Sequence, residues 1–423
     1  MENPTQTDEG LLRGYRALDL TDETGLLCGR LLADLGVDVV KVERPGGDKS
    51  RRIGPFYKGR KDPEKSLYWF SFNANKRGIT LDITKDEGRE IFTSLAAGFD
   101  IVIESFPVGY MKSIGLDYDA LYRINSGIIM AAITPFGQTG PYAGFLGTDL
   151  TVCALSGYMS LCGDPDRPPV RIGFPQAFLH AGAFAAGAIV TALIYRGIHG
   201  KGQFIDVSAQ ASLFESAMDA PACWTAEGKN TPRMGGNRIR PGTDYVAPAV
   251  FECRNGYIYF VLYGKTVGER ANRALVEWME EENAADEFLR TVDWKTFDPW
   301  DTRVDQAYID RLLSQIAGFF KKYTKRELFE EGLRRHIMLF ALGTPADIAE
   351  SLQLYKRGYW IDLHHPEIGN SIRYPGAFVA LNQNPCTLRS PAPRPGEHNK
   401  AVYSEILGFS ETHIVELARR GVI

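Results

Sequence analysis

The sequence predicts an α/β protein, an open and mostly parallel sheet followed by a smaller α+β domain. Three observations predict it. Between Arg16 and Thr134, strand-like and helix-like stretches alternate, the pattern of a parallel sheet whose crossovers are helices. Within that span Val37–Val42 (VDVVKV) is mostly apolar, as a strand covered on both faces requires. Beyond the loop-like string MGGNRIRPGTD, the pattern changes to two short strands, Val250–Cys253 and Tyr257–Leu262, turning at Asn255 and Gly256.

Taken in order, Arg16–Thr21 (RALDLT) is the first strand and Leu26–Leu35 the first helix, which stops at Gly36. Val37–Val42 follows. Asp86–Ala97 is a helix before the strand Asp100–Ser105, and a short helix at Tyr118–Ile124 precedes the strand Ile128–Thr134. Pro135–Tyr142 (PFGQTGPY) is a glycine and proline turn after that strand, where open sheets carry ligand-contacting loops. Leu150–Met159 reads as a helix, Asp164–Pro169 (DPDRPP) as an exposed turn, Phe204–Ser208 as a strand and Ala209–Glu227 as a helix. Charge-rich helices run from Val267 to about Leu354, Ser371–Tyr374 is extended, and Glu411–Arg420 closes the chain as a helix. These boundaries give a large domain over 1–228, a small α+β domain over 229–355 and a C-terminal segment over 356–423.

The stretch Val170–Asp206 is the centre of the chain. A run rising to Gly173, Phe174 and Pro175 leads into about two dozen residues rich in Ala and Gly, and a basic glycine turn, His199–Gln203, follows. Small side chains at Ala181, Gly182, Ala185, Ala186 and Gly187 allow other backbones to approach closely, so a buried helix is expected. The uncharged run Ala181–Tyr195 has about fifteen residues against the roughly twenty that span a bilayer, so no membrane partner is expected.

Composition narrows the function. A chain of 423 residues, 44% hydrophobic and 24% charged, is long enough for two or more domains with real cores. A formal net charge of -4 offers no broad basic field to nucleic acid. The six cysteines are scattered, without a CxxC pair or a histidine spacing suited to a metal, so reduced thiols in a cytoplasm and no metal are expected. The acidic start MENPTQTDEG is unlike a targeting peptide. The first turn, Thr21-Asp22-Glu23-Thr24-Gly25, lacks GxGxxG, and its two acids would repel a pyrophosphate, which argues against a dinucleotide; Glu43 alone could only mimic a ribose-binding acid. From Arg44 to Arg77, basic residues interleave with Gly and Asn (RPGGDKSRR, NANKRG); such loops suit phosphate groups or are simply a solvated surface, and the residues alone leave both open.

Several motifs in one order carry a resemblance: DLGVDVVKVERPGGD (Asp34–Asp48), NANKRGITLDI (Asn73–Ile83), FGQTGPY (Phe136–Tyr142), GKGQFIDVS (Gly200–Ser208), HPEIG (His365–Gly369) and PAPRPGEH (Pro391–His398). From about Gly14 onward the chain resembles the family III CoA-transferases, the group of formyl-CoA:oxalate and carnitine CoA-transferases and 2-methylacyl-CoA racemases. The resemblance implies a large Rossmann-like domain built from both chain ends, a small inserted α+β domain, and an interlocked dimer with CoA at the subunit boundary. It implies coenzyme A or an acyl-CoA as substrate. It also places Arg44, Lys76 and Arg77 near the phosphates or adenine of CoA, and Ser105, Phe106 and Lys112 along the same ligand.

Transferases of this family attack the donor thioester with an aspartate carboxylate, in a pattern like V-P-x-A-D-x-x-A-G. The matching stretch here runs Phe174-Pro175-Gln176-Ala177-Phe178, so the nucleophile's position holds Phe178 and the resemblance leaves this chain with no catalytic residue. Other departures accompany it. Glu104-Ser105-Phe106-Pro107-Val108-Gly109 stands where relatives read E-N-F-R-P-G, and the histidine of the racemases is Thr148 beside Asp149, which removes their acid/base pair. His180 and Asp149 are expected to be a buried hydrogen-bonded group and a helix start. Phe174, Phe178 and Phe184 suit an aromatic neighbour or plain core.

What the resemblance implies is the non-nucleophilic subunit of a hetero-oligomeric CoA-transferase of the succinyl-CoA:benzylsuccinate type, inactive alone. It would move CoA from an acyl-CoA donor such as succinyl-CoA to a carboxylic acid, with a homologous family III partner subunit supplying the aspartate. The alternatives are a self-sufficient homodimer using another carboxylate and a non-catalytic CoA-binding scaffold.

Overall fold

The computed structural model describes residues 10–239, 246–299, 301, 303–382 and 386–423. Its contacts divide it into two units, one of Met1–Met159, Arg171–Gly228 and Gln353–Ile423, the other of Ser160–Val170 and Lys229–Leu352.

The first unit is built on strands β1 (Arg16–Asp19), β2 (Asp38–Glu43), β3 (Arg77–Thr80), β4 (Ile101–Glu104), β5 (Ile129–Thr134) and β6 (Phe204–Ser208). They form one parallel sheet in the order β3-β2-β1-β4-β5-β6, the Rossmann-like open sheet expected from the sequence. The chain winds outward from β1 in one direction and from β4 in the other, so β1 and β4 flank the crevice where the strand order reverses. Its helices as far as Gly228 are α1 (Leu26–Asp34), α2 (Leu67–Asn73), α3 (Asp86–Ala97), α4 (Tyr110–Ser113), α5 (Tyr118–Ile124), α6 (Asp149–Leu155), α7 (Ala177–His199), α8 (Ala209–Phe214) and α9 (Asp219–Glu227), and two more, Asn399–Leu407 and Glu411–Arg419, lie in the C-terminal segment. Alternation along the strands feeds two cores: Ala17, Ile101 and Ile103 face α1 and α7, whereas Leu18 and Val102 face α3 and the C-terminal residues Tyr403, Leu417 and Val422. The returning C-terminal segment closes over β3, where Tyr403 Oη donates to the Thr80 carbonyl at 2.7 Å and the His398 amide donates to that of Gly78 at 2.9 Å.

α2 falls inside the basic stretch Arg44–Arg77, and β3 begins at its last residue. The Ala209–Glu227 helix is also broken, into α8, a 3-10 turn at Glu215–Ala217 and α9.

Helix α7 corrects a second expectation. One stripe, including Ala181, Gly182, Ala185, Ala186, Ile189 and Leu193, is buried against α1 and β5, but Phe184, Ile194, Tyr195 and Ile198 on the other side are 48%, 62%, 40% and 72% exposed. By length and composition the helix could cross a membrane, yet half of its most apolar stretch is inside the fold. Small residues at i, i+4 spacing made the buried stripe legible; apolar residues all round hid the free face. A Cβ on Gly182 would meet Leu27 Cβ at 2.9 Å and the Cys28 amide at 3.1 Å, whereas one on Gly187 would meet nothing. Gly182→Val is therefore expected to cost about 1–3 kcal/mol by overpacking the α1–α7 crossing, while Gly187→Ala gains up to about 1 kcal/mol of helix propensity. Denaturant unfolding of both variants checks the pair, and equal effects would refute this packing.

In the second unit an antiparallel hairpin, Val250–Cys253 with Gly256–Phe260, takes a third strand at Leu339–Ala341. Helices Lys265–Glu281, Gln306–Phe320 and Lys325–Arg335 surround its core, in which the Phe260 and Phe320 rings meet edge-on at 5.4 Å. Ser160–Val170 joins this unit because the Arg233 guanidinium donates to the carbonyls of Ser160, Asp164 and Arg167.

Candidate functional site

The crevice between β1 and β4 opens at the carboxyl ends of the strands, where open α/β sheets take their ligands. A cavity of about 380 Å³ lies there. The loop after β1 brings Asp22 and Glu23, the loop after β4 brings Ser105, Phe106, Pro107 and Val108, and the first turn of α7 brings Phe178. Lys49, Tyr68, Phe145, Asp149 and Phe174 complete the walls.

The charged groups in this cavity are paired or hydrogen-bonded. Ser105 Oγ donates to Asp22 Oδ1 and accepts from the Asp22 amide, both at 2.9 Å. Lys49 Nζ lies 2.8 Å from Asp22 and 3.5 Å from Glu23, and it is the only Lys or Arg lining the cavity among the described residues. Burial works to raise the Asp22 carboxyl, but the Lys49 ammonium and the Thr24 amide outweigh it and hold the group below the usual carboxylate range. The negative field shows on Tyr68, whose phenol is pushed up by burial and then by Glu23, Asp22 and Asp149. Asp149 Oδ1 accepts from the Ala177 amide at 2.8 Å and the Phe178 amide at 3.4 Å, so it caps α7. Phe178 is 8% exposed and lines the cavity with its benzyl side chain. Of the three phenylalanines considered together, Phe174 and Phe178 reach the cavity and Phe184 lies on the exposed side of α7. His180 is hydrogen-bonded through Nδ1 to Ser216 Oγ at 3.2 Å.

The six residues expected along CoA separate. Ser105 and Phe106 line the first cavity. Phe106 is shared with a second cavity of about 360 Å³, which Arg44 borders together with Asp82, Thr84 and Tyr110. Lys112 borders a third, beyond Pro107 and Val108. Lys76 and Arg77 line none of these. The Lys76 ammonium is fully buried and donates to Asp19 Oδ2 at 2.8 Å and to Leu26 O and Asn73 Oδ1 at 3.0 Å, using all three of its protons. Arg77 forks onto Asp38 at 2.6 and 2.9 Å and reaches Glu405 at 2.8 Å. Both depart from the phosphate-facing placement because Arg77 opens β3 and Lys76 immediately precedes it, which turns Lys76 into the core. Glu43 is likewise engaged, by Arg51 in a fork of two 2.7 Å contacts. Sequence reasoning set aside Asp22 and Glu23 as hostile to a pyrophosphate, met Lys49 only as one cation of the RPGGDKSRR loop and passed over Tyr68; the strand order that places the β1 loop at the crevice was the missing signal.

Comparison with known proteins agrees with this architecture. The family model of CoA-transferase family III matches residues 12–399. The chain is 34% identical over 417 residues, 97% of each chain, to succinyl-CoA:(R)-benzylsuccinate CoA-transferase subunit BbsE of Thauera aromatica. It is 28% identical over 417 residues, 97% of this chain and 98% of the other, to the succinyl-CoA–L-malate CoA-transferase beta subunit of Chloroflexus aurantiacus. A crystal structure of a CAIB/BAIF family protein from Brucella suis superposes with a TM-score of 0.78 at 28% identity, covering 94% of this chain and all of that one. The strand order, the crevice and these likenesses meet in one conclusion: the chain belongs to CoA-transferase family III.

Proposed function

We propose that this chain is the subunit without a nucleophile in a two-subunit CoA-transferase that moves CoA between an acyl-CoA donor of the succinyl-CoA kind and a carboxylic acid with an aromatic body. The observation that carries this reading is Phe178, whose ring faces the cavity from the first turn of α7 while Asp149 is committed to capping the helix. A phenyl ring cannot attack a thioester. The names of two relatives, each a subunit of a transferase acting with succinyl-CoA, support the donor and an assembly of more than one subunit, and the benzylsuccinate relative supports the aromatic acid.

The partner in this reading is a homologous family III chain bearing the aspartate, interlocked with this one. The exposed apolar residues Phe184, Ile194 and Ile198 along α7 support it, since an apolar helix face of this kind is normally covered. CoA would run from the first cavity past Phe106 to Arg44, with Ser105 beside the thioester and Arg44 at the anionic end. Six free cysteines fit a reducing cytoplasm.

Trapping the intermediate tests the reading. With succinyl-CoA turning over, hydroxylamine or borohydride should label an aspartate of the partner and leave this chain unmodified. A label on this chain would sink it, and Asp22 or Glu23, the carboxylates that reach the cavity beside Lys49, are where a displaced nucleophile would show.

A further inference from the structure

The loop that follows β4 stands between the cavities and is held at its start by two contacts. Ser105 Oγ ties it to the β1 loop, donating to Asp22 Oδ1 and accepting from the Asp22 amide, both at 2.9 Å. The Phe106 amide donates to Glu104 Oε2 at 2.6 Å. From there Phe106 faces the first and second cavities, and Pro107 and Val108 face the first and third. The loop ends at Gly109, which opens α4 with a left-handed φ of 83° that other residues rarely adopt. A shift of so short a loop moves the wall of the reaction cavity and the passage toward Arg44 together.

Glu104 differs from the other acids of the crevice. It is the last residue of β4, is 4% exposed and makes no ion pair among the described residues, where the Phe106 amide is the one hydrogen-bond partner of its carboxyl. A glutamate is seldom buried without a cation. The charged groups around it supply little compensation: Asp22 stands on the β1 loop, Asp117 and Asp119 line the third cavity with it, and the one ammonium of that lining, Lys112, is exposed. Burial, opposed by the Phe106 amide and reinforced by Asp22, pushes the carboxyl up to about 7. An ionised Glu104 would accept the amide more strongly, but it would be a desolvated anion beside Asp22, and movement of the loop would let water reach it.

We propose that Glu104 is a positioning residue for the transfer reaction: its protonated carboxyl seats the Ser105–Val108 loop through the Phe106 amide, and its ionised form unseats the loop and loosens the hold on acyl-CoA. The consequence for acyl-CoA rests on the transferase reading, whereas the movement of the loop does not. The sign follows from linkage. An acid raised in the seated form favours that form at low pH, and the preference declines above the ordinary glutamate range and is lost as pH rises through about 7.

Hydrogen exchange of the Ser105, Phe106 and Val108 amides in the full chain, read by mass spectrometry, tests the loop without partner or substrate. The wild type and Glu104→Gln, which keeps an acceptor for the amide and carries no charge, should be protected alike at about pH 6. At about pH 8 the wild type should exchange about tenfold faster than Glu104→Gln, one pKa unit being a factor of ten. Glu104→Ala, without the acceptor, should exchange fast at both, and the β4 amides should stay protected in all three. In the two-subunit complex, KM for succinyl-CoA should rise about tenfold in the wild type between about pH 6 and 8 and stay level in Glu104→Gln, while the ratio of their kcat values holds within about twofold. Equal protection of the wild type and Glu104→Gln at both pH values overturns the proposal, as does a KM that follows pH in Glu104→Gln as it does in the wild type. A tenfold exchange difference with no CoA transfer in any mixture would support the hold of Glu104 on the loop and count against the transferase reading instead.

Discussion

Exchange of CoA between succinyl-CoA and an aromatic carboxylic acid is expected to stay at background with this chain alone, and to rise on the order of 10⁴-fold when an aspartate-bearing family III homologue is added. The size follows from what the cavity lacks. Covalent CoA transfer needs an ionised oxygen free to form an anhydride with the acyl group. The carboxylates at hand are engaged: Asp22 by Lys49, Ser105 and the Thr24 amide, Glu23 by Lys49 at 3.5 Å and the Ser50 hydroxyl at 3.3 Å, and Asp149 by the amide groups that open α7. Freeing Asp22 would mean breaking a contact that already holds its carboxyl low, which makes it a stable anion and a poor nucleophile. The measurement is chromatographic detection of the new CoA ester with each chain alone and with both. Exchange by the isolated chain within about tenfold of the mixture would remove the need for a partner.

Five of the six sheet strands could be read from the sequence because each stands beside a helix of the expected period, as in β1, α1 and β2. β3 could not: Arg77-Gly78-Ile79-Thr80 is four residues long and begins with a cation and a glycine. Its strand character comes from its neighbours, since it pairs with β2 and is covered by Pro393, whose ring a Cβ on Gly78 would touch at 2.8 Å. With β3 unseen, Lys76 looked like a loop cation, although its ammonium is among the most deeply buried groups in the chain. Phe178 could be singled out from the sequence because a motif fixes its position, and the residue lines the cavity. The acids around it could not, because their meeting depends on strand order, a property of the assembled sheet rather than of any stretch of sequence.

Asp19→Asn is expected to be the most damaging single change in the sheet, costing roughly 3–5 kcal/mol of stability, whereas Lys76→Met, at a site just as buried, should cost distinctly less. The asymmetry is one of charge count. Asp19 lies between two lysines, Lys76 Nζ at 2.8 Å and Lys41 Nζ at 3.7 Å, with all three side chains fully buried. Removing the anion leaves two desolvated cations facing each other, while removing Lys76 leaves a neutral Lys41–Asp19 pair. Burial acts to raise the Asp19 carboxyl, yet the charges of Lys76 and Lys41 and the hydrogen bonds of Lys76 and Thr21 prevail and lower it. A carboxyl depressed in the folded state stabilises above its unfolded value and loses that contribution as pH falls through its folded value. The gap between the wild type and Asp19→Asn should therefore be full at neutral pH and shrink only in acid, which denaturant unfolding across pH can follow. Close packing leaves the cluster little room to relax, since a Cβ on Gly29 of α1 would come within 2.3 Å of Asp19 Oδ2. Lys41 also donates to the carbonyl of Thr21, the residue before Asp22, so the cluster anchors the loop that delivers Asp22 and Glu23 to the cavity. If Lys76→Met proved as harmful as Asp19→Asn, charge would not be the controlling term, and the cluster would have to be read as a packing feature.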